Sequence, residues 1–196
     1  MLEVKALTRL HIGPVSISVA GGECISISGA SGSGKSLLLR AMVDLDPNTG
    51  ELATQSGARA QMPAPEWRRK VAYLPAESGW WADHAGEHFK APDSVNLAGL
   101  GLPDEALSWE VARLSSGERQ RLALLRLLEN QPEVLLLDEP TAPLDEASTT
   151  LFENRLAACL AQGVSMLLVT HDPAQAKRMA SRHFALLDGQ LTEVTL

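Results

Sequence analysis

Positive charge is scarce in this 196-residue chain: 17 Lys and Arg stand against 24 Asp and Glu, a formal charge of −7. Nucleic-acid backbones reward clustered cations, so no nucleic-acid partner is expected. Cysteine occurs twice, as Cys24 and Cys159 in apolar surroundings. That excludes a disulfide framework and points to a reducing, cytoplasmic setting. No run of about 18 apolar residues exists, so no membrane span is expected. The opening Met1-Leu2-Glu3-Val4-Lys5 lacks a basic segment leading into an apolar one, so no secretory signal is visible. Repeats, low-complexity tracts, heptads and Cys/His ligand clusters are also missing. What is present is 45% hydrophobic and 21% charged residues, enough for a sizeable core in one α/β domain.

Strand-like and helix-like segments alternate. Leu2–Leu7 and the period-two run Val15–Val19 read as strands, and Gly21-Gly22 turns the chain into a further strand over Cys24–Ser28. A helix is expected over Lys35–Val43, then a polar, proline-containing excursion over 53–66 and a short strand over Val71–Leu74. From 82 to about 114 the pattern is helical but cut by Pro92, Gly99, Gly101 and Pro103, which suggests several short helices. A stronger helix spans Gly117–Glu129. Val134–Leu137 and Met166–Val169 are bare apolar runs, the mark of strands buried on both faces. Between them Glu146–Ala161 is helical. A short helix follows Pro173, and a final hairpin turns at Asp188-Gly189. The alternation implies a parallel sheet with helices on both faces, with 76–116 inserted into it.

Gly29-Ala30-Ser31-Gly32-Ser33-Gly34-Lys35-Ser36 fits G-x-x-x-x-G-K-S between a strand and a helix. Glycines let successive N–H groups point at phosphate oxygens, and the helix N-terminus adds partial positive charge. Lys35 would bridge the β- and γ-phosphates and Ser36 would hold Mg²⁺. At the end of the first buried run, Val134–Leu137, come Asp138 and Glu139, where open α/β sheets bind ligands. Asp138 suits Mg²⁺ through a water, and Glu139 suits a base acting on the attacking water.

Leu114-Ser115-Ser116-Gly117-Glu118-Arg119-Gln120 resembles the signature motif of ATP-binding cassette (ABC) ATPases. Asp138-Glu139-Pro140-Thr141 followed by Ala142-Pro143-Leu144-Asp145 resembles that family's strand-end carboxylates and D-loop, and Thr170-His171-Asp172 its switch histidine. The resemblance runs from Gly22-Glu23 to about Asp188-Gly189. It implies a P-loop NTPase core of RecA-like type with a mostly parallel sheet, an N-terminal antiparallel β subdomain and a short inserted α-helical subdomain. The core would be 1–75 and 117–196, and the insert 76–116. It further implies ATP and Mg²⁺ as cofactors, with Glu139, His171 and Lys35 catalytic. Ser115 and Gly117 would face the γ-phosphate of ATP bound by a second copy of the chain, and Asp145 would contact that copy's glycine loop. The implied protein drives a transporter from the inner face of the cell membrane, bound to separate permease subunits. A soluble assembly ATPase and a weakly hydrolysing regulator are the alternatives. Residues 115–118 also read simply as a capping box opening a helix.

Three positions depart from the family pattern. Ala76 stands where a Gln is usual, and the neighbouring Glu77 either lends an oxygen to Mg²⁺ or is a solvated loop acid. Ser116 and Glu118 replace the usual Gly and Gln of the signature. No Phe, Tyr or Trp precedes Trp67, so the ring that stacks on adenine in the family has only His11 as a counterpart here. Trp80-Trp81 lie where the family's permeases dock, although packing within the insert accounts for at least one of them. Trp109 and Phe89 read as insert core. Weak stacking predicts weak base selection: GTP should support turnover nearly as well as ATP. A kcat/KM preference for ATP of about tenfold, some 1.4 kcal/mol, would contradict this.

Overall fold

Two hydrophobic periodicities build two sheets. The computed structural model describes Met1–Leu196. In β1 (Leu2–Arg9) and β2 (Ile12–Val19) alternate residues point inward, with Ile12, Val15, Ile17 and Val19 buried. They pair antiparallel, Val4 opposite Ile17, and β1 pairs on its other edge with β4 (Thr49–Thr54), Val4 opposite Leu52. β5 (Gly57–Ala58) completes the order β2-β1-β4-β5. This is the expected N-terminal antiparallel β subdomain.

The second sheet has the order β10-β9-β3-β8-β7-β6. Its strands are β3 (Cys24–Ser28), β6 (Val71–Leu74), β7 (Val134–Asp138), β8 (Ser165–Val169), β9 (Arg182–Leu187) and β10 (Gln190–Val194). All neighbours run parallel except the β9–β10 hairpin. Every residue of β7 and β8 is buried, as strands covered by helices on both faces require. β7 divides its side chains between two cores. Val134 and Leu136 join Ile25, Leu38, Leu39 and Trp67 under α1 (Lys35–Met42) and α2 (Ala64–Lys70). Leu135 and Leu137 join Leu122, Phe152 and Leu156 under α3 (Ser116–Leu128) and α4 (Glu146–Ala161). The last helix is α5 (Pro173–Met179). Trp67 also donates its indole N–H to the Met42 carbonyl at 3.0 Å, which ties α2 to the end of α1.

The structure corrects two expectations. The polar stretch 53–66 is no excursion: it closes β4, forms β5 and enters α2. β4 escapes a period-two reading because only Leu52 and Thr54 of its residues are buried. Its start relies on Gly50 at φ 103, where a Cβ would stand 2.7 Å from the Lys5 and Ala6 carbonyl oxygens. The insert contains no α-helix. Its helical residues form single 3₁₀ turns over Ala85–His88, Pro92–Ser94, Ala98–Leu100, Asp104–Ser108 and Val111–Arg113. Pro92 opens one turn, Pro103 precedes another, and Gly101 at φ 64 ends a third. Such segments are too short to recover the cost of nucleating an α-helix. The insert holds together through Phe89, Leu97, Leu100 and Ala106, which are buried against α3 and α4 neighbours.

Truncating Leu136, fully buried in the middle of β7, should cost about 2–5 kcal/mol. Denaturant unfolding of Leu136→Ala against wild type measures it.

Candidate active site

The carboxyl ends of β3, β7 and β8 converge, and each delivers one part of a site. After β3 the loop 29–34 is bent by glycines at positive φ: 150° at Gly29, 79° at Gly32 and 101° at Gly34. A Cβ on Gly29 would lie 2.7 Å from the Leu186 carbonyl oxygen, and one on Gly34 would lie 2.5 Å from Ile12 Cδ1. The loop closes on itself through Ser33 N–H to the Ala30 carbonyl at 3.1 Å. Ser31 and Gly32 form its exposed tip. Lys35 is buried and donates from Nζ to the carbonyls of Gly29 (2.8 Å) and Ala30 (3.0 Å).

The loop leads into α1, whose N-terminus is open. Ser115, Asp145 and Asp172 cap α3, α4 and α5 with their side chains. α1 instead starts on Gly34 with no side-chain cap and no acidic residue in its first turn. Its first N–H groups therefore lack intrahelical acceptors and face the loop with the positive end of the helix dipole. Within the loop, Ser33 Oγ is buried without a partner. Orphaned donors beside a lysine and a helix N-terminus fit a phosphate chain. His11, the one ring close by, is exposed, with Nε2 3.3 Å from where a Gly34 Cβ would stand.

β7 supplies Asp138 and Glu139. Asp138 is buried, and its Oδ2 accepts the Tyr73 hydroxyl at 2.9 Å. Burial, followed by the nearby Asp138 charge, holds the Tyr73 phenol above its ordinary pKa, so it stays a donor. Asp138 Oδ1 accepts no hydrogen bond from the protein. With the Ser36 hydroxyl, exposed at the start of α1, this makes an all-oxygen donor set of the kind Mg²⁺ takes. Glu139 adopts φ 48, left-handed for a residue with a Cβ. Its N–H donates to the Val169 carbonyl of β8 at 3.0 Å. Its Oε2 accepts the His171 N–H at 3.3 Å. The His171 ring nitrogen Nε2 lies 3.2 Å from Oε1 but is not aligned to donate to it, which leaves Oε1 buried and unpartnered. Burial raises the Glu139 pKa above its ordinary value, while His171 and the Lys35 charge oppose that shift. β3 and β7 flank β8 and all three run parallel, so the loop after β3 and the acids at the end of β7 leave the same edge of the sheet. His171 itself is 58% exposed.

Ser115, Gly117 and Asp145 form a second group. Ser115 Oγ accepts the Glu118 N–H at 3.2 Å, and Glu118 Oε2 accepts the Ser115 N–H at 2.8 Å, a reciprocal capping box. The two bonds that Glu118 Oε2 accepts, from the Ser115 N–H and from the Ser115 hydroxyl at 2.8 Å, hold the carboxyl below its ordinary pKa. Gly117 approaches the segment before Asp145 closely: a Cβ there would meet the Pro143 carbonyl oxygen at 3.1 Å. Asp145 accepts the Ser148 N–H at 2.7 Å. Ser115 and Ser116 are exposed, and this group makes no hydrogen bond to the glycine loop of its own chain.

Glu77 is exposed and makes no side-chain hydrogen bond or ion pair. Gln120 of α3 holds this segment instead, donating to the Pro75 carbonyl at 3.2 Å. Of the paired tryptophans, Trp80 is half-buried and Trp81 is 75% exposed. Arg126 lies over both rings, 4.5 Å and 4.9 Å from their centroids. Phe89 is insert core as expected, and Trp109 packs partly buried against the same cluster.

A family model described as ABC transporter matches residues 12–142. The aliphatic sulfonates import ATP-binding protein SsuB 3 of Nocardia farcinica is 39% identical over 181 residues, covering 91% of this chain and 72% of that protein. The phosphate import ATP-binding protein PstB 2 of Natronomonas pharaonis is 31% identical over 208 residues, with coverages of 91% and 72%. A solved ATP-binding subunit of an ABC transporter superposes with a TM-score of 0.88 at 25% identity, covering 100% of this chain and 90% of that one. A dimeric post-hydrolysis ATP-binding cassette bound to ADP and Pi superposes with a TM-score of 0.84 at 24% identity, covering 100% and 99%, a likeness of fold.

Gly34→Ala should lower ATP affinity at least about tenfold, because a Cβ at φ 101 would displace Ile12 and reshape the start of α1. Equilibrium nucleotide binding, with circular dichroism to verify the fold, checks this.

Proposed function

The chain belongs to the ABC transporter family, and on that premise we propose that it is the ATP-binding and ATP-hydrolysing subunit of a transporter whose membrane-spanning permease is a separate chain. No helix here is long and apolar enough to cross a membrane, so the permease subunits supply that part. The observation that carries the reading is the open, glycine-led N-terminus of α1 together with a buried carboxylate oxygen that has no hydrogen-bond partner, Glu139 Oε1.

The residues divide the work as follows. Backbone N–H groups of residues 29–36 cradle the phosphates, and Lys35 exchanges its loop carbonyls for β- and γ-phosphate oxygens. Ser36 and Asp138 would hold Mg²⁺, which would offset the negative charge on those phosphates. Glu139 Oε1 accepts a hydrogen bond from the attacking water and takes its proton as the oxygen bonds to the γ-phosphorus and the bond to ADP breaks. A half-buried carboxylate with a raised pKa is the better base for that task. His171 faces the γ-phosphate from the end of β8. Ser115 and Gly117 make no hydrogen bond to the glycine loop of their own chain, and as an exposed helix N-terminus they complete the site of a second copy. Asp145 meets that copy's glycine loop. Each ATP then joins two subunits, and hydrolysis parts them. Opening is passed to a permease seated on the insert, where Trp81 lies bare on Arg126. The permease holds the subunit at the cytoplasmic face of the membrane.

Glu139→Gln should keep ATP binding, lose turnover and accumulate as a dimer in saturating ATP, as read by size-exclusion chromatography. A variant that stays monomeric under those conditions contradicts the shared site.

A further inference from the structure

Gln175 is polar, uncharged and only 1% exposed, in a helix of seven residues beside the site. Its Nε2 donates to Thr141 Oγ1 at 2.8 Å and to Glu153 Oε1 at 3.1 Å, while its Oε1 is buried without a partner. Glu153 is itself held by Arg178 through two hydrogen bonds, at 2.8 and 3.0 Å. A fold that leaves a buried amide carbonyl unpaired gives up stability to keep the donor end in place.

That donor end joins the two loops of the site. Thr141 lies in the turn that carries Glu139, closed by Ala142 N–H to the Glu139 carbonyl at 3.2 Å. Gln175 lies on α5, which begins one residue after the His171-Asp172 pair. The left-handed backbone of Glu139 needs outside restraint. We propose that Gln175 is a positioning residue for hydrolysis, its bond to Thr141 fixing Glu139 and His171 relative to each other; this rests on Glu139 being the base. Only a double donor can bridge a hydroxyl oxygen and a carboxylate, so Gln175→Glu would set two carboxylates against each other.

The test measures kcat, the Kd for ATP and the melting temperature for Gln175→Met, Thr141→Val, Thr141→Ser and the Met/Val double variant. Gln175→Met and Thr141→Val should each lower kcat by about tenfold or more, with Kd within about twofold of wild type. The double variant should lose no more than either single one. Thr141→Ser, which keeps the hydroxyl, should retain kcat. Wild-type kcat in either single variant, multiplying losses in the double variant, or a matching loss of ATP affinity would overturn the proposal. If Gln175→Met fails to fold, the Val and Ser variants of Thr141 decide the matter alone. Glu139→Gln separates the two levels: full turnover in that variant defeats the base assignment, while a dead Glu139→Gln beside normal Gln175→Met and Thr141→Val defeats only the positioning role.

Discussion

The burial of β7 on both faces is the constraint from which the site follows. A strand buried on both faces resists slipping, since a one-residue shift would move Leu135 and Leu137 into the opposite core. Its end is therefore placed with the accuracy of a packed interior. Asp138 is the last residue of that strand and is buried, so its charge must be satisfied locally, and Tyr73 on the neighbouring strand donates to it. The chain then turns at once through the left-handed Glu139, anchored by the carbonyl of Val169. Packing energy spent on apolar residues thus sets the position of two acids against the cationic end of α1.

In the proposed mechanism the site built this way is half of a shared site. The strand-end acids and His171 lie together at the ends of β7 and β8, whereas the Ser115 helix tip makes no hydrogen bond to the glycine loop and is satisfied by its own capping box. Both halves use the same physical device, a helix N-terminus presented to an anion. They differ in how the first turn is completed: α1 leaves it open, and α3 closes part of it with Ser115 and Glu118. An open terminus can take the bulk of a charged ligand. A partly capped one is suited to adding a final contact when two subunits meet.

Much of this was legible from the order of residues. Cys24–Ser28, Val71–Leu74 and Glu146–Ala161 coincide with the observed elements, because their apolar runs are bounded by glycine, proline or a capping acid. The cradle was legible because its chemistry lies in eight consecutive residues. β4 was not, since its buried residues are few and its pairing depends on a glycine at positive φ next to β1. The insert's turns read as helical because their apolar spacing suits one, yet proline and glycine cut them below the length an α-helix needs. The bond from Gln175 to Thr141 spans 34 residues, and no local pattern announces it. It exists only once β7 and β8 lie side by side.

In the proposed mechanism hydrolysis needs two copies of the chain, one holding the phosphates and the other completing the site. Turnover per chain, followed through a dilution series with sedimentation run in parallel, tests it most directly. The account predicts that turnover per chain falls as the dimer dissociates and vanishes where only monomer remains. A constant turnover per chain in solutions that contain monomer alone would contradict it.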